Sequence, residues 1–271
     1  MPFTLSHVSV VLPFSRPLAR WRLLSAAVIG SMVPDFHILA PWRMGRFETH
    51  SAMALLTFCL PVGLMGYWLF QYLIKVPMVE VLPDGAYARW RPSESPASID
   101  SPTQWVLAAC GVLGGAVTHL IWDGFTHEGG RGVRMLPMLD EPILDLGRHH
   151  MPLTRLMQDA GSLAGLLLMV AIVCYGLRPG KERPTTPRLI QARERCAWYW
   201  AILLGGAAFW VAYLVPARLM GFPGVGWLVY DSAIASLRAL ATAAIVFGAA
   251  IQLRLRAIAP SPAYLSSGPE R

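Results

Sequence analysis

Charge is what this chain has least of. Only 14% of its 271 residues are Asp, Glu, Lys or Arg, while 55% are hydrophobic. Soluble domains carry about 25% charged residues, so the composition argues against an ordinary water-soluble enzyme. Charge is absent altogether from Thr49 to Ile74, Ser101 to Trp122, Ala160 to Leu177 and Trp198 to Ala217. A fifth run, Ser232 to Leu253, is interrupted only by Arg238. An α-helix needs roughly 20 apolar residues to cross a bilayer core of about 30 Å. The expected fold is therefore all-α: a polytopic membrane helix bundle of about five spans. Cysteine is equally uninformative as a framework. The four, Cys59, Cys110, Cys174 and Cys196, are scattered, and no pair has ligand spacing. They predict neither a disulfide scaffold nor a thiolate metal site. No ordered n-region, h-region and cleavage site opens the sequence, so the first span is expected to act as the insertion signal. Internal repeats are absent too.

The net charge of +7 needs no acidic partner. Arg178, Lys181, Arg183, Arg188, Arg193 and Arg195 crowd one connection between spans, as cytoplasmic loops do under the positive-inside rule. We expect no nucleic acid; membrane lipid is the expected partner, and oligomeric state is not readable.

Residues 1–22 mix apolar residues with Arg16, Arg20 and Arg22, and Pro13 and Pro17 break any long helix. Residues 23–34 are apolar but too short to span, which predicts an interfacial or re-entrant helix ending at Pro34-Asp35. Trp42, Arg43 and Arg46 suit a membrane-surface loop, and His50 opens the first span. Residues 76–103 are rich in Pro and Ser and are expected to hold little regular structure. Gly111 and Gly115 in the second span, and Gly161 and Gly165 in the third, have the spacing that lets membrane helices approach, a weak sign that these two spans pack together. Residues 124–159 form a long loop. The expected division is 1–177 as a metal-site domain, 178–197 as a basic loop, 198–253 as a C-terminal pair of spans and 254–271 as a disordered tail.

Against this background one stretch is rich in chemistry: His119-Leu120-Ile121-Trp122-Asp123-Gly124-Phe125-Thr126-His127-Glu128-Gly129-Gly130. On a helix His119, Asp123 and His127 share one stripe, and two imidazoles with a carboxylate make half of a divalent-metal site. The plainer alternative is a membrane helix whose polar residues bond to neighbouring helices. Three ionisable groups at the end of one apolar run favour the metal, because charge near lipid is costly. His127 has an alternative of its own, as a helix cap before Gly129-Gly130. All seven histidines lie in the first 150 residues. If the basic connection is cytoplasmic, span order places His50, His119, Asp123 and His127 at one membrane face, the extracytoplasmic one. His37 and Glu128 read as solvated or supporting residues.

The strings MPFTLSH, IGSMVPDF, ETHS and HLIWDGFTHEGG, with Leu156-Met157-Gln158 before Gly161-Ser162, resemble a bacterial multi-pass membrane family of unknown function. That family is similar to the membrane-bound metal-dependent hydrolases of the bacterial inner membrane. A more distant likeness is to zinc-dependent phospholipase C and the single-strand nucleases, whose ligands run His, Asp, His, His-x-x-x-Asp, His. Here His7, Asp35, His50, His119-x-x-x-Asp123 and His127 follow that order. The resemblance implies Asp35 as both metal ligand and the group that orients or deprotonates water. It implies Asp123 as a bridge between metals, with the histidines as the remaining ligands. The chain departs from that pattern in opening Met1-Pro2 rather than with tryptophan, and in lacking the closing His-x-x-x-Glu. His149, His150 and Asp159 are the nearest substitutes. One or two ions are therefore expected, zinc first, with manganese or iron as the other candidates.

Together these features predict a metal-dependent hydrolase of a phosphoester, small or lipidic. The competing readings are a non-catalytic protein that binds or transports a metal, and a structural membrane protein with a vestigial site. Transport would call for ionisable residues deep in several spans, and the fourth and fifth offer only Arg238.

Overall fold

The structure, a computed structural model of the 271-residue chain, describes residues 4–39, 45–90, 101–145, 150–178, 188–219 and 225–258. Among them the chain is almost wholly helical. A string of short turns opens it: 3₁₀ at Thr4–His7, α1 (Val8–Val11), 3₁₀ at Leu12–Phe14 and α2 (Ser15–Arg20). Pro13 and Pro17 sit in these turns, and no single long helix forms. There follow α3 (Leu24–Gly30), a 3₁₀ stretch Val33–Leu39 and α4 (Arg46–His50). A long helix, Leu55–Glu80, contains α5 (Leu60–Leu69) and α6 (Lys75–Glu80), with π-helical stretches at Leu55–Cys59 and Phe70–Ile74. Next come α7 (Asp84–Trp90), α8 (Pro102–Thr126), α9 (Arg131–Met135), a hairpin of β1 (Pro142–Asp145) and β2 (His150–Pro152), α10 (Leu153–Gly176), α11 (Ala192–Leu219) and α12 (Val225–Ile258).

Among the described residues five helices are long and apolar enough to cross a membrane: Leu55–Glu80, Pro102–Thr126, Leu153–Gly176, Ala192–Val215 and Asp231–Ile258. Their surfaces carry bare leucine, valine and tryptophan, such as Leu167, Val170, Trp200 and Leu204. Such side chains belong against lipid rather than water. The chain is a multi-pass helical membrane protein.

Several local expectations change. His50 does not open the first span; it ends α4, and the span begins at Leu55. Asp84–Trp90, inside the stretch expected to lack regular structure, is helical. Its Asp84 carboxylate accepts hydrogen bonds from Arg188 Nη1 (2.9 Å) and Arg195 Nη2 (2.7 Å), partners more than a hundred residues away. The loop 124–159 holds a short helix and a two-stranded hairpin. Helix α12 runs on to Ile258, so the expected tail is helical at its start; residues 259–271 lie outside the described residues.

By compactness the chain divides into two units, Met1–Tyr67 with Ser98–Tyr175, and Trp68–Ala97 with Gly176–Arg271. In the second, α11 packs on α12, with the Phe247 ring seated on Gly205. Val76, Ile190, Ile251 and Leu255 form an apolar core there. Trp90 Nε1 donates to the Gly176 carbonyl (2.9 Å).

In the first unit the organising contact is α3 against α8. Helix α8 starts cleanly: Ser101 and Gln104 exchange hydrogen bonds (both 3.4 Å) and Pro102 sits in the first turn. A Cβ added at Gly115 would stand 2.6 Å from the Ser31 amide, and one at Gly111 2.8 Å from the Ala26 Cβ. The glycines of α8 therefore receive the buried short helix α3, and not the third span. Gly165 of α10 receives Ser6, and Gly161 receives the Trp122 ring. The small-residue spacing is used for close approach: Gly161 meets Trp122 of the second span, as expected, whereas Gly111, Gly115 and Gly165 receive α3 and Ser6 instead. Gly115→Val should force α3 away and cost about 1–3 kcal/mol of stability. Thermal unfolding in detergent will read that loss, and metal content should fall with it because Ser31 supports the site described next.

A candidate metal centre

Three short elements and the end of the long helix α8 bring six ionisable side chains together. His7 closes the first 3₁₀ turn, Asp35 lies in the 3₁₀ stretch after Pro34, and His50 ends α4. His119 and Asp123 face inward from the last turns of α8, and His127 is its C-cap. His7, Asp35, His119 and Asp123 are all buried, and the His127 side chain is 13% exposed.

Asp123 is the hub. Its Oδ1 lies 3.6 Å from His7 Nε2 and 3.5 Å from His127 Nδ1. Its Oδ2 lies 3.6 Å from His50 Nε2 and 3.6 Å from His119 Nε2. Asp35 Oδ1 completes the second group, 3.3 Å from His50 Nε2 and 3.8 Å from His119 Nε2. The His7 and His119 rings stack, with centroids 3.7 Å apart.

Most of these separations are too long for hydrogen bonds yet too short for groups with no reason to meet. Donors placed tetrahedrally at about 2.0–2.2 Å from one zinc stand about 3.3–3.6 Å from each other. His7 Nδ1 and Nε2, His50 Nε2 and His119 Nε2 are buried and make no hydrogen bond among the described residues. Orphaned ring nitrogens facing carboxylate oxygens at ligand-to-ligand spacing are what a metal would satisfy. Two groups could each hold an ion: His7, His119 and Asp123, and Asp35, His50 and His119. The residues present fit a divalent metal.

The ring orientations are set from outside the cluster. His119 Nδ1 donates to the Ser31 carbonyl (2.7 Å), which leaves Nε2 as the nitrogen facing the two carboxylates. His50 Nδ1 pairs with the Thr49 hydroxyl (2.8 Å), so its Nε2 likewise turns inward. The Thr4 hydroxyl donates to Asp35 Oδ2 (2.9 Å) and leaves Oδ1 for the site. His37 stands behind, donating to the Pro34 carbonyl (3.0 Å) with its ring edge on to His50.

Burial, and then the neighbouring His119, push His7 down to about 4, so its ring is neutral and able to ligate at neutral pH. Burial alone would raise the Asp35 carboxyl, but His50 and the other imidazoles hold it well below the usual range. Asp35 is thus an anion, as a ligand must be.

All six residues singled out in the sequence meet here, and His127 proves to be both helix cap and cluster member. Thr4, Ser31 and Thr49 were not foreseen. All three sit inside the strings MPFTLSH, IGSMVPDF and ETHS, but Ser31 acts through its backbone carbonyl, which its residue type does not signal. Among the proposed substitutes, Asp159 is half exposed and pairs with Arg155 (3.0 Å), away from the cluster. His149 and the His150 side chain lie outside the described residues.

The fold and cluster define a class: a multi-pass helical membrane protein with a buried His/Asp cluster, at the end of one span, that could hold a metal ion. Over residues 1–253 the chain matches the family described as Domain of unknown function (DUF4184), and it belongs to that family. No curated protein and no solved structure matches it.

Proposed function

We propose that this is a metal-dependent hydrolase of phosphoesters, working at one face of a bacterial inner membrane, the extracytoplasmic face by span order. The observation that carries the reading is the Asp123 carboxylate, whose two oxygens face two separate sets of ring nitrogens. A carboxylate so placed suits a pair of ions, with His7 and His127 around one and His50, His119 and Asp35 around the other. Imidazole with carboxylate favours zinc, then manganese or iron. Bound divalent ions would lower the pKa of a coordinated water from about 15.7 to about 7 and neutralise charge on a phosphoryl group.

The protein's own part is positional and acid–base. Asp35 Oδ1, with Oδ2 held by Thr4, orients the attacking water and accepts its proton as the oxygen bonds phosphorus and the ester P–O bond breaks. Asp35 then gives that proton up through solvent, and the leaving oxygen takes one from solvent to depart as an alcohol. Ser31 and Thr49 hold His119 and His50 in their ligating tautomers throughout. Burial of Asp35, His7 and His119 keeps bulk water from competing for these contacts.

Metal analysis of the detergent-purified protein should find between one and two zinc, manganese or iron ions per chain. The same preparation should hydrolyse bis(p-nitrophenyl) phosphate, lose that activity to a chelator and regain it with zinc. A metal-free, inactive preparation that zinc does not activate sinks the proposal. Metal without hydrolysis leaves a binding protein.

A further inference from the structure

A cavity of about 680 Å³ runs past His50, Asp123 and His127. Its wall is mostly apolar. Leu55 is the first residue of one span, and Val117, Leu120 and Ile121 lie in the last turns of another. Those two span ends stand at one membrane face, so the wall lies where acyl chains reach the head-group region. Ile121 is 57% exposed and Val117 39%, so the groove is open on its lipid-facing side.

The other wall is basic. Arg131 and Arg134, both exposed, line the cavity from α9, against one exposed acid, Glu128. The turn Gly129-Gly130 delivers them. Gly129 has φ +68°, which disfavours any residue with a side chain. A Cβ at Gly130 would lie 2.8 Å from the His127 carbonyl, and one at Gly132 2.5 Å from the Phe125 ring. Only glycines let α9 fold back onto the end of α8 this closely. The glycine-rich string after His127 thus has a purpose that the ligand set does not explain.

We propose that this groove binds one anionic glycerophospholipid. Its phosphate sits between the His/Asp cluster and Arg131 with Arg134, and its chains lie along Leu55, Val117 and Ile121. Charge complementarity selects the occupant: two guanidinium groups and a metal centre call for phosphate, and the apolar wall at the span ends calls for chains. The inference rests on the metal-centre reading and supplies its substrate class.

The test measures binding to the metal-loaded, detergent-purified full chain, separately from turnover. Dihexanoyl phosphatidic acid, below its micellar concentration, is compared with glycerol 3-phosphate, which has the same head and no chains, and with dihexanoyl phosphatidylcholine. Phosphatidic acid should bind at least about tenfold more tightly than either. Ile121→Asp should abolish its advantage over glycerol phosphate. Arg131→Gln with Arg134→Gln should abolish its advantage over phosphatidylcholine. Both variants should keep wild-type metal content, and Val117→Trp fills the groove as a second route should Ile121→Asp fail to fold. Equal affinity for phosphatidic acid and glycerol phosphate overturns the inference, as does equal affinity for the two lipids. Hydrolysis of bis(p-nitrophenyl) phosphate with either result leaves the hydrolase standing without a lipid groove. Selective lipid binding with no hydrolysis of any ester keeps the groove and removes the enzyme.

Discussion

Asp123→Ala should empty the centre and abolish hydrolysis together. Its carboxylate is the one group that touches both nitrogen sets, with oxygens 3.5–3.6 Å from His7, His127, His50 and His119. Loss of an outer partner of a metal ligand costs about 10–100-fold in affinity or activity. Loss of the shared ligand itself should exceed about 100-fold in affinity on the same scale. The variant should therefore purify with less metal than wild type, even when grown with added zinc. A thermal measurement separates this from misfolding. Wild type should lose stability when a chelator removes its metal, because an ion bound only by the folded chain adds RT ln(1 + [L]/Kd). Asp123→Ala should unfold in one cooperative step whose midpoint no longer responds to the chelator. A variant that keeps full metal content places the ligands elsewhere.

Asp35→Asn should separate metal binding from chemistry. The amide keeps one oxygen for the site, and its NH2 donates to the Thr4 hydroxyl where the carboxylate accepted from it, but it cannot take a proton from water. General base catalysis contributes about 10²–10⁴-fold, so turnover of bis(p-nitrophenyl) phosphate should fall within that range. Metal content should change little, and KM should move less than kcat because no substrate contact is removed. Asp35→Ala, by contrast, should lose metal as well, since it also removes the ligand oxygen. If Asp35→Asn loses metal and activity in equal measure, Asp35 acts as a ligand alone. If it keeps both, it is neither base nor ligand.

The two variants probe parts of the centre that were unequally visible in the sequence. His119, Asp123 and His127 are spaced four apart at the end of an uncharged run, and helical periodicity alone puts them on one stripe. His7, Asp35 and His50 carry no such internal ruler. Their order along the chain matched a known pattern of metal ligands, but order says nothing of distance. Their meeting depends on α3, seven residues long and too short to cross a bilayer, lying against Gly111 and Gly115 of α8. That contact puts the Ser31 carbonyl on His119 and brings Asp35, four residues later, to the same end of α8. Had residues 23–35 crossed the membrane, His7 and Asp35 would have stood on opposite faces.

The same limit explains the local surprises. Asp84–Trp90 looked like part of a polar linker because its stabilising partners, Arg188 and Arg195, are distant in sequence. The paired glycines signalled close approach, but a missing side chain cannot name what fills the space.

What the sequence determined by itself is whatever depends on composition and short-range period. That covers membrane residence, the five long helices, and the stripe of His119, Asp123 and His127, because hydrophobic length and the helical repeat are properties of neighbouring residues. Only the tertiary structure decided which side chains meet that stripe, which nitrogen each histidine presents, and that an apolar groove with two arginines runs beside it. Each of these depends on packing between residues tens of positions apart, down to a backbone carbonyl at Ser31 that no residue type could announce.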